Sequence, residues 1–417
     1  MAHPLAMRTV LSTNDIRQHF PALERMHGRL RVAYFDGPGG TQVPRAVVDA
    51  VTDYLLHHNA NTHWAYPTSA ETDAALDRAR RTFGAFLNCE AADVMFGANM
   101  TTLTYHLARA LARSWNAGDE VVVTELDHHA NVAPWTALEQ ECGITIRTVP
   151  LNVETGQIEW TGLEQALSDK TRLLAIGAAS NALGTITDVK AAADRARSVG
   201  ALVFIDGVHY APHALPDVAA LHCDFFTCSA YKCYGTHVGV MSAPSDLLAS
   251  IDFPRLLPAS DEPPERGETG TLNHEGIVGA AAAVEWLGTL STLGGDLRSR
   301  LADVYATLHA RGRDVTDGLW RGLSEIKGVT VYGPPPAAPR TPTIAFTVTD
   351  VASSEVARRL SDDGVFVSHG DFYAKTVVDR LGLRPEGLVR AGCACYTTQE
   401  EVARLVDAVD VISRVEP

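Results

Sequence analysis

Asp224-Phe225-Phe226-Thr227-Cys228-Ser229-Ala230-Tyr231-Lys232-Cys233-Tyr234-Gly235 is an apolar run that ends in small and aromatic residues and then delivers one lysine into a turn. The run reads as a buried strand, and Lys232 follows its C-terminal end. Lysine is ordinarily a solvated surface residue. An ammonium held among Phe225, Phe226, Tyr231 and Tyr234 is poorly hydrated, which favours the neutral, nucleophilic amine. Such an amine suits a Schiff base with a carbonyl compound.

Upstream, Ala201-Leu202-Val203-Phe204-Ile205-Asp206-Gly207-Val208-His209 is another continuous apolar run, as in a central parallel strand, with an acid at its C-terminal end. The interval between Asp206 and Lys232 accommodates one crossover to a neighbouring strand. A Schiff-base lysine beside a carboxylate is what pyridoxal phosphate requires. The carboxylate keeps the pyridine nitrogen protonated, and the protonated ring accepts electrons from a substrate carbanion. Val94-Met95-Phe96 runs into Gly97-Ala98-Asn99-Met100-Thr101-Thr102 and then a helix to about Arg113. A strand, a turn and free amides at a helix N-terminus form an anion site, here a cradle for the cofactor phosphate.

Ile205-Asp206-Gly207-Val208-His209 followed by Ser229-Ala230-Tyr231-Lys232 resembles the class V aminotransferases, in their cysteine desulfurase-like branch. Further landmarks fall in the same order: Asp127-His128-His129-Ala130-Asn131, Ser180-Asn181-Ala182-Leu183-Gly184-Thr185, Thr269-Gly270-Thr271, and Val389-Arg390 before Tyr396-Thr397-Thr398. The resemblance covers the chain from about Tyr34 to the last helix. It implies an α/β, fold type I enzyme, with a mostly parallel seven-stranded sheet between helices and a smaller α+β C-terminal domain. The expected division is an N-terminal segment over 1–30 packing with the small domain, a large cofactor-binding domain over 31–285, and the small domain over 286–417.

The same resemblance assigns site residues. Lys232, His128 and Asp206 are the catalytic candidates, with the His128 imidazole stacked on the pyridoxal ring. Asn99, Met100, Thr101, Asn181, His209, Ser229 and Tyr231 would contact the cofactor, and Thr271 would reach the phosphate bound by a second subunit of a homodimer. Asn181 and Arg390 would take the substrate carboxylate, since a guanidinium forks onto a carboxylate with two parallel hydrogen bonds.

The sequence also departs from that family. The desulfurases carry a mobile cysteine that attacks the substrate sulfur and holds a persulfide. The corresponding stretch, Val365-Phe366-Val367-Ser368-His369-Gly370-Asp371-Phe372-Tyr373-Ala374, has no thiol. Cys393 and Cys395 read as part of the Arg390 strand, which cannot swing as a loop does. Tyr231 and His209 stand where sulfur-mobilising relatives usually have His and Gln. The expected reaction is therefore C–S cleavage of cysteine, cystine or a cysteine conjugate by β-elimination, without an enzyme persulfide. Epimerisation of the isopenicillin N epimerase type, transamination, and a non-catalytic paralogue remain as alternatives.

Composition agrees with this class. The chain has 417 residues, 46% of them hydrophobic and 20% charged, enough for a large core over two domains. A net charge of −15 disfavours a nucleic-acid or anionic-membrane surface. Seven cysteines without metal-like pairs suggest reduced thiols in the cytoplasm, and no run approaches membrane-spanning length. No metal is expected. Regular elements are anticipated over Glu275–Leu323 as one long helical region and over Val365–Ser368 as one strand.

Overall fold

The computed structural model describes residues 9–414. Its main sheet has strands β1 (Val94–Gly97), β2 (Glu120–Thr124), β3 (Thr145–Val149), β4 (Thr171–Gly177), β5 (Leu202–Asp206), β6 (Phe225–Ser229) and β7 (Gly239–Ser242). In space they lie in the order β1-β7-β6-β5-β4-β2-β3. Only β7 is antiparallel to its neighbours; the other adjacent pairs are parallel. This is the mostly parallel seven-stranded sheet expected from the sequence.

Strands covered on both faces are apolar throughout, and alternation divides their side chains between two cores. Val203, Ile205 and Phe226 enter one core, while Phe204 and Phe225 enter the other. Register then brings the strand ends together. Asp206 stands between Gly177 of β4 and Thr227 of β6, and Ser229 lies beside Gly239 of β7. Ligand sites of open α/β sheets form at this carboxyl edge. Two glycines allow close approach there. A Cβ at Gly207 would collide with the Phe226 ring, and one at Gly239 with the Asn99 backbone.

A second sheet comprises β8 (Val329–Tyr332), β9 (Thr343–Val348), β10 (Ser368–Gly370) and β11 (Leu388–Gly392), in the order β8-β9-β11-β10 and antiparallel throughout. Its buried face packs Ile344, Phe346, Val389 and Ala391 against helices Ser353–Asp362 and Gln399–Arg414. Near the start of the described chain, the Phe20 ring meets Tyr396 at 5.0 Å, Trp286 at 5.2 Å and Tyr234 at 5.9 Å. The N-terminal segment is thereby anchored in the main core and beside the last helix.

Several local expectations are corrected. The region 275–323 is two helices, His274–Thr289 and Leu297–Glu325. The Gly294-Gly295 pair separates them, with Gly295 left-handed at φ 109°, and Asp296 caps the second by accepting from the Ser299 N–H at 2.8 Å. The expected strand over 365–368 is divided: Val365–Phe366 pairs in parallel with Ala33–Tyr34, whereas Ser368–Gly370 pairs with β11. Cys393 and Cys395 lie beyond β11, in the turn that follows, rather than on the Arg390 strand. Helix Pro67–Leu87 was not anticipated, although Pro67 in its first turn and left-handed Asn88 at its end are characteristic helix boundaries. Among the described residues, no helix is long and apolar enough to cross a membrane, and no side-chain cluster could hold a metal ion.

Candidate active site

A cleft of about 630 Å³ opens at the carboxyl edge of the main sheet. Lys232 enters it from the turn Ala230–Lys232 after β6, and Asp206 from the end of β5. Lys232 is 7% exposed, with Nζ 5.8 Å from the Tyr231 ring centroid. Burial, reinforced by the Arg390 charge and opposed by Asp206, lowers its pKa to about 8. Burial raises Asp206 to about 6, against a 2.9 Å hydrogen bond donated by the Val208 N–H and the attraction of Lys232. The amine is thus brought within reach of its neutral form at ordinary pH.

His128 follows β2. Its Nδ1 accepts a 3.0 Å hydrogen bond from the Ala130 N–H, which places the proton of the neutral ring on Nε2. Burial, with Lys232 adding to it, depresses this imidazole to about 3. On the other side, helix Met100–Ala112 begins with a reciprocal cap. Asn99 Oδ1 accepts from the Thr102 N–H at 2.9 Å, and Thr102 Oγ1 accepts from the Asn99 N–H at 3.2 Å. The Met100 N–H donates to Ser229 Oγ at 3.2 Å. No helical carbonyl stands behind the Thr101 N–H. The Asn99 side chain is occupied by capping, so its contribution to anion binding is the shape of the helix start.

The third wall comes from the small sheet. Arg390 on β11 is 4% exposed, and among the described residues no carboxylate pairs with it. One guanidinium nitrogen donates to the Asn181 carbonyl at 2.8 Å, the ring of Phe372 lies 4.1 Å from its Cζ, and its Nε has no partner. Burial, countered by Asp36, lowers this cation to about 9. The Asn181 Nδ2 donates to the Phe372 carbonyl at 2.9 Å, leaving the buried Oδ1 unpartnered. His209 Nε2 meets the hydroxyls of Thr341 at 3.0 Å and Thr343 at 3.1 Å, while its buried Nδ1 is also unpartnered. Tyr231 stacks on His237 with centroids 4.8 Å apart and planes 10° from parallel.

A family model described as Aminotransferase class-V matches residues 33–405. The chain belongs to the class V aminotransferases. It is accordingly a pyridoxal-phosphate-dependent enzyme of fold type I. A cysteine desulfurase from Pectobacterium atrosepticum is 30% identical over 417 residues, covering 96% of this chain and 98% of that protein. Another, from Synechococcus elongatus, is 32% identical over 419 residues; the match covers 95% of this chain and 63% of the Synechococcus protein. Among solved structures, the apo cysteine desulfurase of Thermococcus onnurineus NA1 aligns with a TM-score of 0.86 at 25% identity, covering 96% of this chain and 98% of that one. The Escherichia coli cysteine desulfurase in its S-sulfonic acid form gives 0.83 at 26% identity, with the same coverage.

The donor set of this class V enzyme fits the cofactor. Buried Lys232 lines the cleft and buried Arg390 stands behind its Asn181 wall, a pair of cations suited to an anionic cofactor and a substrate carboxylate, and Asn181 Oδ1 and His209 Nδ1 are buried polar atoms without partners among the described residues. The cleft brings together all the site residues named from the sequence except Thr271 and Arg390. Arg390 reaches it through Asn181, whereas Thr271 is exposed in the loop before helix His274–Thr289. Sequence reasoning missed Asp127, whose carboxylate accepts from Thr124 Oγ1 at 2.7 Å and from Asn131 Nδ2 at 3.1 Å beneath the cleft. It also missed Thr341 and Thr343. Their proximity to His209 depends on docking between the sheets and leaves no local pattern.

Proposed function

We propose that this enzyme cleaves the Cβ–S bond of cysteine, cystine or a cysteine conjugate by β-elimination, without passing sulfur through an enzyme persulfide. One observation carries the reading: no cysteine lines the cleft or occupies the 365–374 stretch over it. Burial also pushes the thiols nearest in sequence to Arg390, Cys393 and Cys395, up to about 12, so neither is a ready thiolate.

In this reading Lys232 would hold the cofactor, and the Thr101 amide with the Ser229 hydroxyl, itself positioned by the Met100 N–H, would hold its phosphate. Asn99 shapes that turn, and Thr271 of a second copy completes it in a homodimer. Tyr231, His209, Asn181 and neutral His128, which line the cleft, would contact the cofactor ring. The bound cofactor supplies an electron sink that weakens the bond from substrate Cα to hydrogen. Asp206 keeps the ring-nitrogen proton in place, Lys232 removes the Cα proton, and Arg390 with Asn181 fixes the substrate carboxylate. Loss of the Cβ–S bond releases a thiol and 2-aminoacrylate, which water converts to pyruvate and ammonia. The division at 285/286 and a cytoplasmic location belong to the same proposal.

The test is product identity with cysteine as substrate. Pyruvate and sulfide in equal amounts support elimination. Alanine as the carbon product overturns it, because that outcome requires sulfur to leave at the oxidation level of a persulfide. An inverted Cα with no C–S cleavage would point to epimerisation instead.

A further inference from the structure

The chain makes an unusual corner over the cleft. Gly370, Phe372 and Tyr373 have φ values of 106°, 56° and 57°. The left-handed region is ordinary for glycine but costly for two bulky aromatic residues, and it persists where surrounding contacts fix it. Those contacts reach three separate parts of the site. The Phe372 ring lies on the Arg390 guanidinium, and its carbonyl accepts from Asn181 Nδ2. The Tyr373 carbonyl accepts from the His129 N–H at 2.7 Å, and its ring centroid is 5.5 Å from that of His128. Asp371 holds the corner from within: its Oδ1 accepts from the Tyr373 N–H at 3.0 Å, and its carbonyl from the Ala374 N–H at 2.7 Å.

We propose that this corner is the specificity element of the cleft, with Phe372 positioning Arg390 for a carboxylate and Tyr373 restricting the substrate to a short side chain. The proposal deepens the amino-acid reading given above and rests on it. Among the described residues no carboxylate pairs with the guanidinium, and its contacts are the Asn181 carbonyl and the Phe372 face. Gly39 borders the same guanidinium: a Cβ there would be in ordinary contact with it at 3.7 Å, so the loop passes close to where a carboxylate would dock. Tyr373 is an exposed residue whose ring stands 5.5 Å from that of His128, which places the phenol where it would meet a long substrate side chain.

Calorimetric titration of the holoenzyme with propionate and with 3-phenylpropionate tests both parts, because neither acid has an amine to react with the cofactor. Phe372→Leu should weaken propionate about tenfold, equivalent to about 1.4 kcal/mol, while Phe372→Tyr stays near wild type. Tyr373→Ala should leave propionate within about twofold and raise the affinity for 3-phenylpropionate about tenfold. With cysteine, Phe372→Leu should raise KM and leave kcat nearly unchanged. Should Phe372→Leu fail to fold, Phe372→Met provides the same comparison. Wild-type propionate affinity in the Phe372 variants, or an unaltered preference between the acids in Tyr373→Ala, would overturn the inference alone. Failure of the wild type to bind propionate would sink the carboxylate reading of Arg390 beneath it.

Discussion

The floor of the cleft and the corner above it hold their side chains by different means. In the floor, Lys232 and Asp206 leave adjacent parallel strands whose side chains are packed on both faces, so their separation is set by sheet register. In the corner, Phe372 and Tyr373 belong to a short connection, kept left-handed by carbonyls that accept from Asn181 and His129. Register tolerates little variation, because a one-residue slip turns every side chain to the opposite face. A loop corner can exchange residues without disturbing the sheet. The difference teaches why a pyridoxal-phosphate machine can be retained in the floor while the residues that meet the substrate change above it.

The largest effect should follow from altering the floor. Lys232→Ala is expected to lower turnover by at least about a thousandfold and to abolish the borohydride-trapped pyridoxyl peptide while the protein remains folded. A trapped adduct on another lysine in the wild type would show that the floor has been misassigned. Asp206→Asn should retain the cofactor but slow exchange of the substrate Cα hydrogen about a hundredfold to a thousandfold, corresponding to about 3–4 kcal/mol in the barrier. Deuterium exchange monitored by NMR checks this, and near wild-type exchange at full occupancy would place the ring-nitrogen partner elsewhere.

At the wall between floor and corner, Arg390→Gln should raise KM for an amino acid about fiftyfold with a smaller change in kcat, as expected when a buried charged hydrogen-bonding partner is lost. Steady-state kinetics measures this ratio. A smaller effect concerns pH. The folded pKa of Lys232 is lowered to about 8, so the neutral amine gains population as pH rises through that value. Capture of pyridoxal phosphate by the apoprotein should therefore accelerate about tenfold between pH 7 and 9; stopped-flow absorbance reports it. Rates falling across that interval would mean the cleft does not hold the amine as described.

Much of the floor was legible in the sequence because apolar runs end directly at Asp206 and near Lys232, and because His128, Asn181 and Arg390 sit in a recognisable order. The corner was legible only as a stretch without a thiol. Nothing local announces that Phe372 will reach Arg390 or that Tyr373 will reach His128, since both contacts depend on how the small sheet docks on the large one. The break between helices His274–Thr289 and Leu297–Glu325 was available from Gly294, Gly295 and Asp296, a glycine pair followed by an N-cap residue. Asp127 was hidden for a different reason: its partners Thr124 and Asn131 are near in sequence, yet only burial reveals that the carboxylate lies under the cleft.

The most direct test is to follow sulfur through one turnover. Holoenzyme mixed with a stoichiometric amount of cysteine is quenched at intervals, its thiols are alkylated, and all seven cysteines are examined by peptide mass spectrometry while free sulfide is assayed in parallel. Sulfide should appear at the rate of substrate loss, with no cysteine ever carrying an added sulfur atom, and Cys393→Ala and Cys395→Ala should each turn over within about twofold of wild type. A persulfide that forms on any cysteine and decays at the turnover rate would contradict the elimination mechanism.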